Sequence, residues 1–341
     1  MHGPVVEDVL SSISASEAQY NFEELITARK NHPSLLSKYN QEPDTLGLMT
    51  RQFEDSDGTL YLLDNDRREI SFVLHGFISG AMLPLNLTEM ISRDRFRPHH
   101  IQQQITVVGG GHEHFAEYLS AVSAIYRFMA SSRRRADLKD YFNPVYGGTP
   151  GISASTKLFT KMKENSLHLD LNARIDLPSS IDPLSAVKQN AESHGFCYTE
   201  ENHVIYRGVS CSRRCSTLSG TEALEVEPSY IATGQLVELR VSFRAYRTRF
   251  KHRVFKIKLN SVTVYSNSAA KMLLELSSSR EELRKARERE VMVTLGAPKK
   301  RRHLDDIPSS FDDIAFLRRS NEQKHSDVDV NDVGELFDFQ I

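Results

Sequence analysis

Cysteine is scarce in this chain, with three among 341 residues. So small and odd a number argues against a disulfide framework and for a reducing compartment, so cytosol or nucleus is expected. No apolar run approaches the roughly 20 residues of a membrane-spanning helix, and no membrane partner is expected. The opening MHGPVVEDVLSSIS lacks the basic start and apolar centre of a secretory leader, and none is expected. Selective catalytic spacing is missing too. Thirteen histidines and many serines single out no Ser-His-Asp or Cys-His set. What is there is a composition with 39% hydrophobic and 26% charged residues, that of a globular protein long enough to bury a core.

A local absence is more informative. Between Arg240 and Lys258 there is no acid, against eight Lys/Arg. The net charge of −2 conceals this. Residues 234–303 hold 18 Lys/Arg against 6 Asp/Glu, residues 304–341 hold 3 against 10, and the first 233 residues hold 22 against 29. A basic block beside an acidic tail points to a polyanionic partner, or to internal pairing that mimics one.

The basic block reads as a hairpin. Val237, Leu239, Val241, Phe243 and Ala245 alternate with Glu238, Arg240, Ser242, Arg244 and Tyr246, and Phe255, Ile257 and Leu259 alternate with Lys256 and Lys258. The apolar phase then switches to Val262 and Val264, which predicts a bulge near Asn260. Arg240, Arg244, Lys256 and Lys258 therefore share one face with Tyr246. Arg247, Arg249, Phe250, Lys251, His252 and Arg253 crowd the tip. Cations beside flat rings suit nucleic acid, whose phosphates need charge and whose unstacked bases need stacking partners. The competing reading is a sheet edge protected from aggregation by positive charge.

Lys299, Lys300, Arg301 and Arg302 follow Pro298, with Arg284 and Lys285 upstream, and read as a nuclear import signal that an import receptor would bind. The alternative is a chance basic run at a helix exit. His194, Cys197, Cys211 and Cys215 have the spacing H-x2-C-x13-C-x3-C, and zinc is the one cofactor they suggest. Isolated thiols are the plainer reading. His99, His100, His112 and His114 flank one predicted strand with Glu113, but lack the i, i+4 spacing that aligns two metal ligands on a helix. Gly109, Gly110 and Gly111 enter the next helix and read as a tight turn. An enzyme built on the Gly109–His114 turn is the least favoured function. The aspartates around Asp57 lack an EF-hand's ligand positions and read as turn chemistry.

The pattern predicts an α+β fold: a mixed, mainly antiparallel sheet with flanking helices and a disordered tail. Residues 1–45 read as helical and 46–142 as α+β. Residues 143–156 read as a Pro/Gly loop and internal boundary, 157–290 as α+β with the hairpin and a helix, and 291–341 as a disordered tail. Within this, FCYTEENHVIYRGV reads as a second hairpin about Glu201 and Asn202. The tail alternates acids with bulky apolar residues in FDDIAFLRR and GELFDFQI, a pattern able to fold onto a protein partner or to lie over the basic block.

The stretch carrying Gly234, Val237-Glu238, Ser242-Phe243, a basic turn, KIKLNSVTVYS and a basic continuation resembles an expanded family of proteins from basidiomycete fungi. The resemblance covers about thirty residues, as counted from Gly234. It implies no enzyme activity and supplies no catalytic residue. The paired strands are also similar to the last two of an OB-type barrel. The functional expectation is a nuclear protein that binds nucleic acid weakly through phosphates. The alternative is a protein–protein interaction or scaffold protein.

Overall fold

A computed structural model describes residues 5–55, 58–85, 87, 91, 96–131, 138–162, 174–209, 223–248 and 252–295. The chain divides into two compact units, Met1–Ser279 and Arg280–Ile341. The class is α+β, as the pattern predicts, with six α-helices among the described residues around a mixed, mainly antiparallel sheet.

The amino-terminal helices are α1 (Val6–Ile13), α2 (Ser16–Arg29) and α3 (Pro43–Met49). Val9 and Ile13 of α1 and Phe22 and Leu25 of α2 close a buried cluster over the sheet. Tyr20, by contrast, is 69% exposed. It lies two residues from Phe22, about 200° round the helix.

The strands are β1 (Arg51–Glu54), β2 (Leu60–Leu63), β3 (Phe72–Met82), β4 (Gln102–Val108), β5 (Val145–Tyr146), β6 (Thr149–Lys157), β7 (Thr160–Lys161), β8 (Phe196–Cys197), β9 (Ile205–Val209), β10 (Ala223–Glu225), β11 (Leu236–Arg247) and β12 (Arg253–Ser266). The main sheet runs β10-β9-β12-β11-β3-β4-β6-β5, with β2 also on β11 and β1 on β2. β9 and β12 are parallel, and the other named pairs are antiparallel. The sheet curls, for Thr156 Oγ1 on β6 donates to the Leu259 carbonyl on β12 at 2.7 Å. β3 shows little alternation because both its faces are covered. Leu74 and Ile78 enter the main core, while Phe77 lies under the amino-terminal helices. The hairpin β11–β12, which carries the OB resemblance, sits inside a ten-stranded sheet.

Helix α4 (Glu113–Ala130) buries Phe115, Tyr118, Val122, Ile125 and Met129. Its entry explains two glycines. A Cβ on Gly109 would collide with Phe115, and one on Gly110, at φ +59°, with Ile13. The helix α5 (Ala186–Ser193) is capped by Asp182, whose carboxylate accepts from the backbone of Val187 at 3.1 Å and Lys188 at 2.8 Å. Helix α6 spans Ser268–Leu295.

Two sequence expectations need correction. Residues 143–156 are no boundary: β6 lies there and pairs with β4 from Gly151 to Lys157. Its Gly, Pro and Ser residues disguise a strand whose Ile152 and Ala154 are buried, and Gly151 is required because a Cβ would sit 2.9 Å from the Val107 carbonyl. The regions 46–142 and 157–290 thus share one sheet, with β11 seated between β3 and β12. Nor do residues 196–209 make a hairpin. β8 pairs with β7, and β9 joins β12 and β10, because the turn at Glu200–Asn202 is a capped 3-10 turn that sends the strands apart. The first five residues of the expected disordered tail, 291–295, belong to α6, and residues 296–341, with the acidic segments, lie outside the described residues.

Candidate nucleic-acid interface

The hairpin β11–β12 has the expected faces. Val237, Leu239, Val241, Phe243, Ala245, Phe255, Ile257, Leu259, Val262 and Val264 all enter the main core. Arg240 is opposite Ser261 and Val241 opposite Leu259, so Asn260 is the extra residue of a bulge. A second register shift, between Leu236 and Val237, leaves Tyr265 as an extra residue. Tyr265 then accepts from Arg29 Nη2 at 2.6 Å and donates to Glu238 at 3.4 Å.

Three of the described hairpin cations are already matched by carboxylates. Arg244, with its side chain 6% exposed, donates from Nε and Nη2 to Glu69 and from Nη1 to Glu201 at 2.7 Å. Its guanidinium also lies 4.8 Å from the centre of the Tyr61 ring. Lys258 Nζ reaches the same Glu201 Oε2 at 2.8 Å. Arg253 donates to Glu54 at 2.7 Å and to the Gly58 carbonyl at 3.1 Å. The acids that neutralise the hairpin come from elsewhere in the chain, which is why the local sequence looks unopposed.

Burial works to raise the Glu201 carboxyl, but hydrogen bonds from Arg244 and Lys258, followed by their charges, outweigh it and hold it at about 2. Burial likewise opposes ionisation of Glu238. The hydrogen bond with His75 and the charges of His75, Arg29 and Arg240 lower it nonetheless. His75 is fully buried, with Nδ1 3.0 Å from the Tyr118 hydroxyl and Nε2 3.4 Å from Glu238. Arg240 stands 3.8 Å from Glu238 and keeps 47% of its side chain exposed. Arg247 is exposed beside Gly58, and the Tyr246 phenol is pushed up chiefly by burial. Arg249, Phe250 and Lys251 lie outside the described residues.

Lys256 differs from its neighbours. It is half-buried, and burial alone lowers its pKa. Lys157, at the end of β6, is also half-buried and is lowered by burial and then by the charge of Lys256. Neither ammonium meets a carboxylate among the described residues. His99 lies near enough that Lys157 is one cause holding it below the usual histidine range, after burial and His100 and ahead of Arg97. The curl of the sheet thus gathers positive groups from β12, β6 and the turn at Pro98–His100. Sequence reasoning named Lys256 but missed Lys157, since only the Thr156–Leu259 contact of β6 and β12 brings the two together.

Two of the four zinc candidates, His194 and Cys197, lie among the described residues. His194 Nδ1 is 2.8 Å from the Asn190 carbonyl, and Cys197 donates to the Thr160 carbonyl at 3.7 Å. Cys211 and Cys215 lie outside the described residues. Among the described residues no three His, Cys, Asp or Glu side chains form a metal-sized cluster. His112 and His114 stack at 5.5 Å, whereas His99 stacks on Phe196. The seven-residue β4 stands between His99 and His112, a span of about 23 Å at the usual rise per residue. His99, His112 and His114 therefore do not gather into one site. The expected import signal, Lys299, Lys300, Arg301 and Arg302, lies outside the described residues. Comparison with protein-family models and with curated proteins gives no match.

Proposed function

We propose that this is a nuclear protein that holds nucleic acid through its phosphates, with the contact centred on Lys157 and Lys256. One observation carries the reading: β6 and β12 meet at the Thr156–Leu259 hydrogen bond, which brings Lys157 within reach of the Lys256 charge, and neither of these half-buried lysines meets an acid among the described residues. Each ammonium is costly to keep partly desolvated, and a phosphate oxygen placed between them offsets that cost with charge-assisted hydrogen bonds. Arg240 extends the positive surface, while Arg244, Arg253 and Lys258 hold the sheet in shape. The import signal at Lys299–Arg302 supports the nuclear assignment. The hairpin's resemblance to the fungal family adds no activity to this reading.

The test is a salt titration of the full chain with single- and double-stranded oligonucleotides. Binding is expected to weaken steeply with salt, and Lys157→Glu with Lys256→Glu to remove about two phosphate contacts from the slope. Absence of affinity at low salt sinks the proposal. The scaffold reading draws on a different observation, the internal matching of Arg244, Arg253 and Lys258 by Glu69, Glu54 and Glu201. It predicts that an acidic peptide competes for Lys157 and Lys256 while oligonucleotides do not bind.

A further inference from the structure

The lysine pair does not stand alone. Phe196 on β8 stacks on His99 with ring centres 6.2 Å apart and planes 23° apart. His99 meets His100 with ring centres 4.0 Å apart. His100, at the outer end of this column of rings, is exposed. Across the β7–β8 ladder Phe196 is paired with Lys161, which is exposed and meets no acid among the described residues. Lys157 and Lys161 lie on one chain segment, four residues apart, with the rings beside them. Cations thus lie beside the rings, Lys161 across the ladder from Phe196 and Lys157 near enough to act on His99, whose plane is tilted 42° from that of His100.

We infer that this surface selects single-stranded nucleic acid, stacking a base on the His100 end of the Phe196–His99–His100 column while Lys157, Lys161 and Lys256 hold the flanking phosphates. The inference rests on the phosphate-binding reading above and adds to it the form of the ligand. A duplex keeps its bases stacked on one another and offers the rings nothing, whereas a single strand presents π-faces of any sequence. Burial and the neighbouring cations favour the neutral form of His99, which suits it to a place within the column.

The experiment uses fluorescence anisotropy of the full chain with three probes: a single-stranded oligothymidylate, a blunt duplex and inorganic polyphosphate of matched charge. The oligothymidylate is expected to bind roughly ten-fold tighter than either of the others, the order of one stacked base. His100→Ala and Phe196→Leu should each remove most of that preference and leave polyphosphate affinity unchanged. Lys161→Gln should weaken all binding that the wild type has. Equal affinity for oligothymidylate and polyphosphate, unmoved by the ring variants, overturns the stacking inference and leaves the phosphate site standing. Tighter binding of the duplex overturns it as well. If none of the three probes binds at low salt, both this inference and the proposed function fall.

Discussion

Arg244 holds Glu69 with both arms of its guanidinium, Nε to Oε1 at 2.6 Å and Nη2 to Oε2 at 2.5 Å. Its remaining arm takes Glu201, so one buried cation ties β11 to the turn after β2 and to the turn before β9. In the sequence the same arginine is one of eight cations with no acid among them. In the fold its charge is already answered.

This relationship predicts an asymmetric pair of variants. Arg244→Met removes the shared partner of two carboxylates and should lower unfolding free energy by about 3 kcal/mol, the scale of breaking a buried ion pair. Glu69→Gln leaves Arg244 with Glu201 and keeps an acceptor in place, so its cost should be about 1 kcal/mol. Urea unfolding measures both. A change of less than about 0.5 kcal/mol for Arg244→Met, the range of ordinary surface substitutions, would falsify the structural role.

A second prediction follows from Glu201. Its carboxyl is held at about 2 in the fold, below the ordinary 4.5. A depressed carboxylate favours the folded state when both forms are ionised, so its contribution is fully present above about pH 4.5. It is lost as pH falls from there toward 2. Glu201 is 63% exposed, and solvent screening reduces the size of the effect but not its sign. The difference in urea midpoint between wild type and Glu201→Gln should therefore shrink steadily on acidification across that window. A difference that stays constant from pH 6 to pH 2 would count against the contact.

The division between what was legible and what was not follows the range of each interaction. Alternation along β11 and β12 is local, so the faces of the hairpin and the extra residue Asn260 could be read from the order of residues alone. The capping of α5 by Asp182 is equally local. By contrast, Glu69 is 175 positions from Arg244 and Glu201 is 43. No run of residues shows that these acids neutralise the hairpin. Strand β6 was hidden for a different reason. Its Gly, Pro and Ser residues carry the composition of a loop, yet close approach to the Val107 carbonyl requires Gly151 to lack a side chain. The pairing of Lys157 with Lys256 depends on that hidden strand, so a misread loop concealed part of the candidate site.

The bulge gives the last prediction, and it concerns deletions. Val241 faces Leu259 and Arg240 faces Ser261, so removing Asn260 joins two segments that are already in register. Leu259 stays inward, Ser261 outward and Val262 inward. The deletion should lose the local extra twist and the contact of Asn260 with Ser242, and still give a cooperatively folding protein. The expected cost is about 1–3 kcal/mol, within the usual span for single changes. Removing Thr263 from the same strand is different, because it lies in a regular stretch opposite Glu238. Closing that gap turns either Val262 or Val264 to the wrong face, since a one-residue slip reverses every side chain beyond it. The Thr263 deletion should therefore lose the cooperative urea transition that the Asn260 deletion retains. If the two deletions unfold with the same midpoint, Asn260 is not the residue that absorbs the change of phase.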